Sequence, residues 1–356
     1  MKPLPFSELA IEPESLRCAL GQMLRRPSPP QSLLIVGLAG AGKRTLARSL
    51  AAAWLCPNRT EQGHCQTCPV CQKWSDTGEH PDLRVLKPEP DQIKIDAVRE
   101  TRRWMNFAPA VAPVRCVILE EAHRLNPAAA NALLKTLEEP PAGYHFMLTA
   151  PASDLLLQTI LSRCRIVRLG ALTTEQVFHR LQAHFSLPEE TLRTIAELSE
   201  GAIGRAIRWA EMLETPPTDS KGKPIQGELE ALQALLQVFK RLSQASLDEA
   251  LRLAYDFREA CKALEGGVED RSVRAALALG LEYLIQWYRD SLAIHDEHAS
   301  LRFASHKKEL GDLAHRFSAA ERARDLQAIT QARRAILGNA NAQMVTENLF
   351  IQLLRM

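Results

Sequence analysis

The chain has 356 residues, more than one compact domain usually holds, which predicts two or three domains. It is 46% hydrophobic and 24% charged with a formal net charge of +2. That balance supplies cores and a solvated surface, and it excludes a global polycation as the basis of nucleic-acid contact. No apolar run approaches the ~18 residues of a membrane span. The stretch MKPLPFSELAIEPE carries acids where a signal peptide would be apolar, so the chain reads as cytoplasmic. Eight cysteines in that compartment point to a metal or to free thiols rather than disulfides.

In chain order, a helical lead-in is predicted over about 5–26, with Leu9, Ile11, Leu16, Leu20 and Met23 as its apolar positions and PSPP (27–30) as its stop. SLLIVG (32–37) is a short apolar run ending in Gly, as a buried parallel strand does. A helix follows over roughly 43–55, then a cluster of cysteines, then a second strand, LRVLKP (83–88). Asp96 is placed as the N-cap of a helix over about 97–106. RCVILEEA (115–122) is a third strand with acids at its end. Asn126-Pro127 opens a helix, with a cap followed by proline at the first helical position, and Pro140-Pro141 closes it. HFMLTAP (145–151) and CRIVRLG (164–170) complete five strands.

Alternating strands and helices imply a parallel sheet covered on both faces, with ligands gathered at the carboxyl ends of the strands. Gly37–Thr45, Glu120-Glu121 and Thr149-Ala150 all fall at those ends. From 171 to 215 the pattern is helical only. TPPTDSKGKPIQGE (215–228) has linker composition, and from 229 onward the pattern is helical again, with Val273, Leu277, Leu281 and Leu284 as a stripe. The predicted organisation is an α/β parallel-sheet domain (1–170), a small helical domain (171–215), a linker (216–228) and an all-α domain (229–356).

GLAGAGKRT (37–45) completes the pattern G-x-x-x-x-G-K from Gly37 through Gly40 and Gly42 to Lys43. Its glycines let backbone N–H groups curl around phosphate oxygens, and Lys43 adds a point charge. The context of strand, loop and helix is the one this pattern requires. The next position, where a hydroxyl would hold Mg²⁺, is Arg44. Thr45 comes one place late, about 100° further round the helix. The loop therefore reads either as a binder of ATP with an altered cation site or as a shape retained for its backbone. Glu120 would orient Mg²⁺ and Glu121 would polarise an attacking water if the loop hydrolysed ATP.

Cys56, Cys65, Cys68 and Cys71 form C-x₈-C-x₂-C-x₂-C, which suits tetrahedral Zn²⁺ in a closed, structural site. His64 is a spare ligand candidate. Cys18, Cys116, Cys164 and Cys261 read as buried, reduced thiols. Ser162-Arg163-Cys164 lies between a helix end and the fifth strand. An exposed Arg163 there is a candidate arginine finger supplied to another subunit.

With these residues in view, the chain resembles the bacterial replicative clamp-loader subunits of the AAA+ class, and among them the delta-prime branch of DNA polymerase III. The resemblance is carried by LCPN…CQTCPVCQ with GEHPDL (55–83), IKIDAVRE (93–100), NPAAANALLKTLEEPP (126–141), ILSRC (160–164) and, less specifically, NAQMVTENLFIQLLRM (341–356). It is strong over about 31–170, moderate to about 210 and weak beyond. It implies an AAA+ sheet domain with a zinc module, a helical lid and a helical collar that assembles a hetero-pentamer with gamma/tau and delta subunits. That assembly uses ATP to open a sliding clamp and place it on primed DNA. The resemblance also implies a rigid subunit whose Ser-Arg-Cys arginine, here Arg163, reaches the ATP site of a gamma or tau neighbour.

Two departures bear on that role. Gamma-type subunits carry Thr or Ser after the loop lysine, where this chain has Arg44. In SEGAIGRAI (199–207) they carry a phosphate-sensing Arg where this chain has Gly204. Both favour a stator over an ATP-hydrolysing motor, although Lys43, which the non-hydrolysing members often lack, is present. The alternatives are a gamma/tau-like motor in which Thr45 and Arg205 substitute, and an AAA+ adaptor outside replication. The arginines of RETRRWM (99–105) read as a solvated or subunit-facing surface rather than a groove reader.

Overall fold

The computed structural model describes residues 2–26, 29–89, 91–215, 227–262, 264, 273–296, 299, 301–338 and 340–354. The chain divides into two compact units, Met1–Thr173 with Gly201–Arg205, and Thr174–Glu200 with Ala206–Met356. The residues 216–226 of the anticipated linker lie outside the described residues.

The first unit is built on five parallel strands: β1 (Ser32–Val36), β2 (Leu83–Leu86), β3 (Arg115–Leu119), β4 (Tyr144–Ala150) and β5 (Arg165–Arg168), in the order β2-β3-β4-β1-β5. The three inner strands are buried along their whole length, whereas the two edge strands admit Arg84, Arg165 and Arg168. Side chains alternate between two cores, as the period of a strand requires. Leu33, Ile35, Ile118 and Met147 pack with α1 (Glu14–Arg25) and α2 (Lys43–Leu55), including the fully buried Trp54. Leu34, Val36, Val117, Leu119, Phe146 and Leu148 pack with α3 (Ile95–Trp104), α4 (Pro127–Glu138) and the single turn α5 (Gln158–Leu161). In register Val36 lies beside Ala150, and Leu119 beside Leu148. The loop after β1, the acids after β3 and Thr149 therefore share one end of the sheet.

Local signals explain the helix limits. Asn126 caps α4, its side-chain oxygen accepting the N–H of Ala129 at 2.8 Å, with Pro127 in the first turn. The lead-in is shorter than the pattern predicts. Pro13 stands at the N-cap of α1, and Phe6–Glu8 form a separate 3₁₀ turn. Proline lacks the donor to continue a helix and biases its predecessor to extended geometry. Likewise α3 starts at Ile95 with Lys94 as its cap, which puts Asp96 in the first turn, where the helix dipole favours an acid.

The second unit is helical: α6 (Thr174–His184), α7 (Glu189–Leu198), α8 (Ile203–Glu214, whose first turn belongs to the first unit), α9 (Glu228–Leu242), α10 (Ala250–Lys262), α11 (Val273–Ala293), α12 (Lys307–Arg316), α13 (Ala319–Leu337) and α14 (Ala342–Leu353). Leu277, Leu281 and Leu284 are buried in α11 together with Trp287 and Tyr288. Val273, expected in the same stripe, is 59% exposed at the first residue of the helix.

Candidate functional site

Gly40 and Gly42 take the left-handed backbone at φ 81° and 89°, which a side chain disfavours, and Gly42 caps the N-terminus of α2. The loop folds over its own lysine. Lys43 Nζ donates to the carbonyls of Gly37 at 2.6 Å and Leu38 at 2.7 Å. Burial and the neighbouring Arg44 hold the Lys43 ammonium below its ordinary pKa, against an opposing pull from Glu121. Thr45 is half-buried one residue on. The carbonyl of Gly40 accepts the N–H of Gly204 at 2.7 Å, and a Cβ at Gly204 would stand 2.9 Å from that oxygen. Gly204 thus has a packing role that its sequence context does not disclose: a side chain there would push the loop away.

The acids beyond β3 are both engaged. Glu120 is buried, with Arg44 Nη1 at 3.4 Å from one carboxylate oxygen and Arg48 Nη2 at 3.6 Å from the other. Arg48 Nη1 also donates to the carbonyl of Gly78 at 3.2 Å. Glu121 adopts the left-handed region at φ 54°, unusual for a residue with a side chain and a local strain of the kind that collects at functional positions. Its N–H donates to Thr149 Oγ1 at 3.0 Å, and its carboxylate lies 2.9 Å from Arg124 Nε. Sequence reasoning passed over Arg48 and Arg124, although both were legible by spacing: Arg48 stands four residues after Arg44 on one helix face, and Arg124 three after Glu121. The loop's glycines fit a phosphate. The donor set does not fit Mg²⁺, since no hydroxyl directly follows Lys43 and two permanently charged guanidiniums already pair with Glu120.

Cys56, Cys65, Cys68 and Cys71 bring their four sulfurs within 4.8 Å of one another, and Cys56 Sγ lies 3.6 Å from Cys65 and 3.9 Å from Cys68. Ligands ~2.3 Å from a tetrahedral ion would be separated by about 3.8 Å, so the spacing fits a metal held by four thiolates. The N–H groups of Cys65, Cys68 and Cys71 each point at the sulfur of the preceding cysteine, at 3.4, 3.3 and 3.4 Å. Burial pushes the Cys56 and Cys71 thiols up. At Cys65 burial also acts upward, but the N–H groups of Cys68 and Thr67 prevail and bring it to about 6. His64 is buried beside the cluster but is not part of it. Of the remaining cysteines, Cys116 and Cys261 are buried and Cys164 is half-buried. Cys18, expected inside, is exposed on α1, with its sulfur 3.9 Å from the Glu14 carboxylate.

His80 and Asp82 give the turn before β2 a physical role. His80 Nδ1 accepts the N–H of Asp82 at 3.1 Å, which leaves the proton on Nε2, 3.2 Å from the carbonyl of Val70 in the cysteine module. Asp82 is fully buried and accepts N–H groups from Ala110, Val111 and Ala112 at 2.6, 2.9 and 2.9 Å, with Arg115 Nε at 3.3 Å. Arg115 in turn donates to the Trp104 carbonyl at 2.6 Å and lies 4.2 Å over the Trp104 ring.

Arg163 follows the short α5. Its side chain is one-third exposed, and its Nη1 donates to the carbonyl of Thr159 at 2.8 Å and to Ser162 Oγ at 3.1 Å. Its Nη2 donates to Glu138 at 2.6 Å. No residue of the phosphate loop is among these partners.

A five-stranded parallel sheet with a phosphate loop between β1 and α2 defines an α/β domain of the phosphate-loop, nucleotide-binding kind. Residues 14–173 match the family described as DNA polymerase III, delta subunit. Over 181 residues, 49% of this chain and 53% of the relative, it is 35% identical to DNA polymerase III subunit delta' of Escherichia coli. It is 39% identical over 145 residues to the delta' subunit of Pseudomonas aeruginosa, covering 40% of this chain and 44% of that one. It is 30% identical over 211 residues to subunit tau of Escherichia coli, covering 58% and 32%. The chain spans about half the length of the delta' relatives it matches.

Proposed function

We propose that this chain is a delta-prime-like subunit of a DNA polymerase III clamp loader, a stator that supplies Arg163 to the ATP site of a neighbouring gamma or tau subunit. One observation carries the reading: both acids beside the phosphate loop have internal arginine partners, Glu120 with Arg44 and Arg48, and Glu121 with Arg124. Each pair would have to open before its carboxylate could serve a cation or an attacking water, so ATP chemistry at this loop is disfavoured. Arg163 belongs to a separate corner and keeps part of its surface in solvent. In this reading the chain joins gamma/tau and delta subunits in a hetero-pentamer, meets the sliding clamp and primed DNA through that cytoplasmic assembly, and holds one structural Zn²⁺ on Cys56, Cys65, Cys68 and Cys71.

The test is Arg163→Ala in the reconstituted loader. The expected result is a folded, assembling variant with ATP hydrolysis slowed by about 10³–10⁵, the range known for arginine fingers in GTPases. An unchanged rate would refute the finger. The complete loop with Lys43 favours a second reading, a gamma/tau-like motor. ATP turnover by the isolated chain that Lys43→Ala abolishes would replace the stator with it. Metal analysis of the purified chain should return one zinc per chain, and a folded preparation without metal would remove the zinc assignment.

A further inference from the structure

We infer that Glu138 is the positioning residue for Arg163, holding its guanidinium ready for an acceptor outside the chain. The inference rests on the reading of Arg163 as a finger acting on a neighbour.

Glu138 ends α4, whose start is fixed by the Asn126 cap and whose inner face is buried through Ala129, Ala130, Leu133 and Leu137. Its backbone is therefore held by the core. Its side chain sits where helix stability alone would not put an acid, because the carbonyl end of a helix repels negative charge. The cation beside it is Arg163, at 2.6 Å. The other anchors come from the next helix: the carbonyl of Thr159 and Ser162 Oγ both accept from Nη1, and Ser162 Oγ itself donates to that same carbonyl at 3.1 Å. Three of the five guanidinium N–H donors are thus engaged within the chain, which leaves two for a ligand. A surface arginine ordinarily samples many rotamers, and freezing one at the moment of reaction opposes catalysis. An arginine already held by two helices avoids that loss. Because both side chains remain partly solvated, the pair can form without the large desolvation penalty of a buried one.

The experiment compares Glu138→Ala, Glu138→Gln, Arg163→Ala and the Glu138→Ala/Arg163→Ala double variant in the reconstituted loader, by ATP hydrolysis rate, subunit assembly and thermal stability. Glu138→Ala is expected to slow hydrolysis about three- to tenfold, the scale of one charge-assisted contact. Glu138→Gln keeps an acceptor and should restore most of the rate. The double variant should be no slower than Arg163→Ala alone. A Glu138→Ala rate equal to or above wild type overturns the positioning role, as does a loss that merely tracks lost assembly or lost stability. If Arg163→Ala itself leaves the rate unchanged, the finger reading falls. If Arg163→Ala is slow while Glu138→Ala is not, only the positioning role falls.

Discussion

Asp82 with Arg115, and Glu120 with Arg44 and Arg48, each join a carboxylate to arginine on the same domain, yet they do different physical work. Asp82 is fully buried and Arg115 is 5% exposed, and the acid collects three backbone N–H groups besides its arginine. Around Glu120 the acid is buried, but Arg44 is 64% exposed and both arginine contacts are long, at 3.4 and 3.6 Å. The first group is saturated and sealed, so its energy goes into fixing residues 110–112 against the sheet. The second sits at the strand ends beside the phosphate loop with its cations half in water. Burial and donor saturation, not the pairing itself, separate a structural ion pair from one that governs what a site can bind.

The sharpest way to break this contrast is Asp82→Ala. It strands the buried Arg115 and three N–H groups, and should cost about 3–5 kcal/mol in denaturant unfolding. A loss below about 1 kcal/mol would place Asp82 with the surface pairs. Acid should do the same more gradually. Burial pushes the Asp82 carboxyl up, but the N–H groups of Ala110, Val111 and Ala112 and the Arg115 guanidinium prevail and hold it below the usual carboxylate range. A depressed folded pKa contributes stability that is complete above the unfolded value of about 3.9 and is lost as pH falls through the folded value. The gap between wild type and Asp82→Ala should therefore narrow below about pH 4 and hold steady above pH 5. A gap that widens in acid contradicts the assignment.

The contrast also marks what a sequence can disclose. The five strands, the loop and the cysteine spacing were legible because each is a local pattern: apolar runs, glycines before a helix, C-x₂-C-x₂-C. The Asn126 cap was legible for the same reason, whereas Asp96, equally suited to a cap, lost that place to Lys94. Partners chosen through space were not legible. Nothing near Asp82 announces the N–H groups of residues 110–112, some thirty residues on, and nothing in SEGAIGRAI shows that Gly204 must clear the Gly40 carbonyl. Glu138 and Arg163, separated by 25 positions, meet only because α4 and α5 bring them together. From sequence, Glu120 and Arg44 could each be tied to the Mg²⁺ position, one as a ligand and one as a lost hydroxyl, but their pairing, and the help of Arg48, required the fold.

The smallest stability effect, and the most informative about the loop, is expected from Arg44→Thr. Arg44 is largely solvated, so the substitution should move the unfolding free energy by less than about 1 kcal/mol. It restores a hydroxyl directly after Lys43 and removes one of the two guanidiniums from Glu120. In nucleotide titrations the wild-type chain should respond identically with and without Mg²⁺, because Glu120 is already neutralised. Arg44→Thr should acquire a dependence on Mg²⁺, and adding Arg48→Ala should increase it. If the wild-type affinity tightens when Mg²⁺ is added, then Glu120 is available to a cation despite its arginines. The strand-end acids would in that case have to be regarded as a working cation site rather than a self-neutralised one.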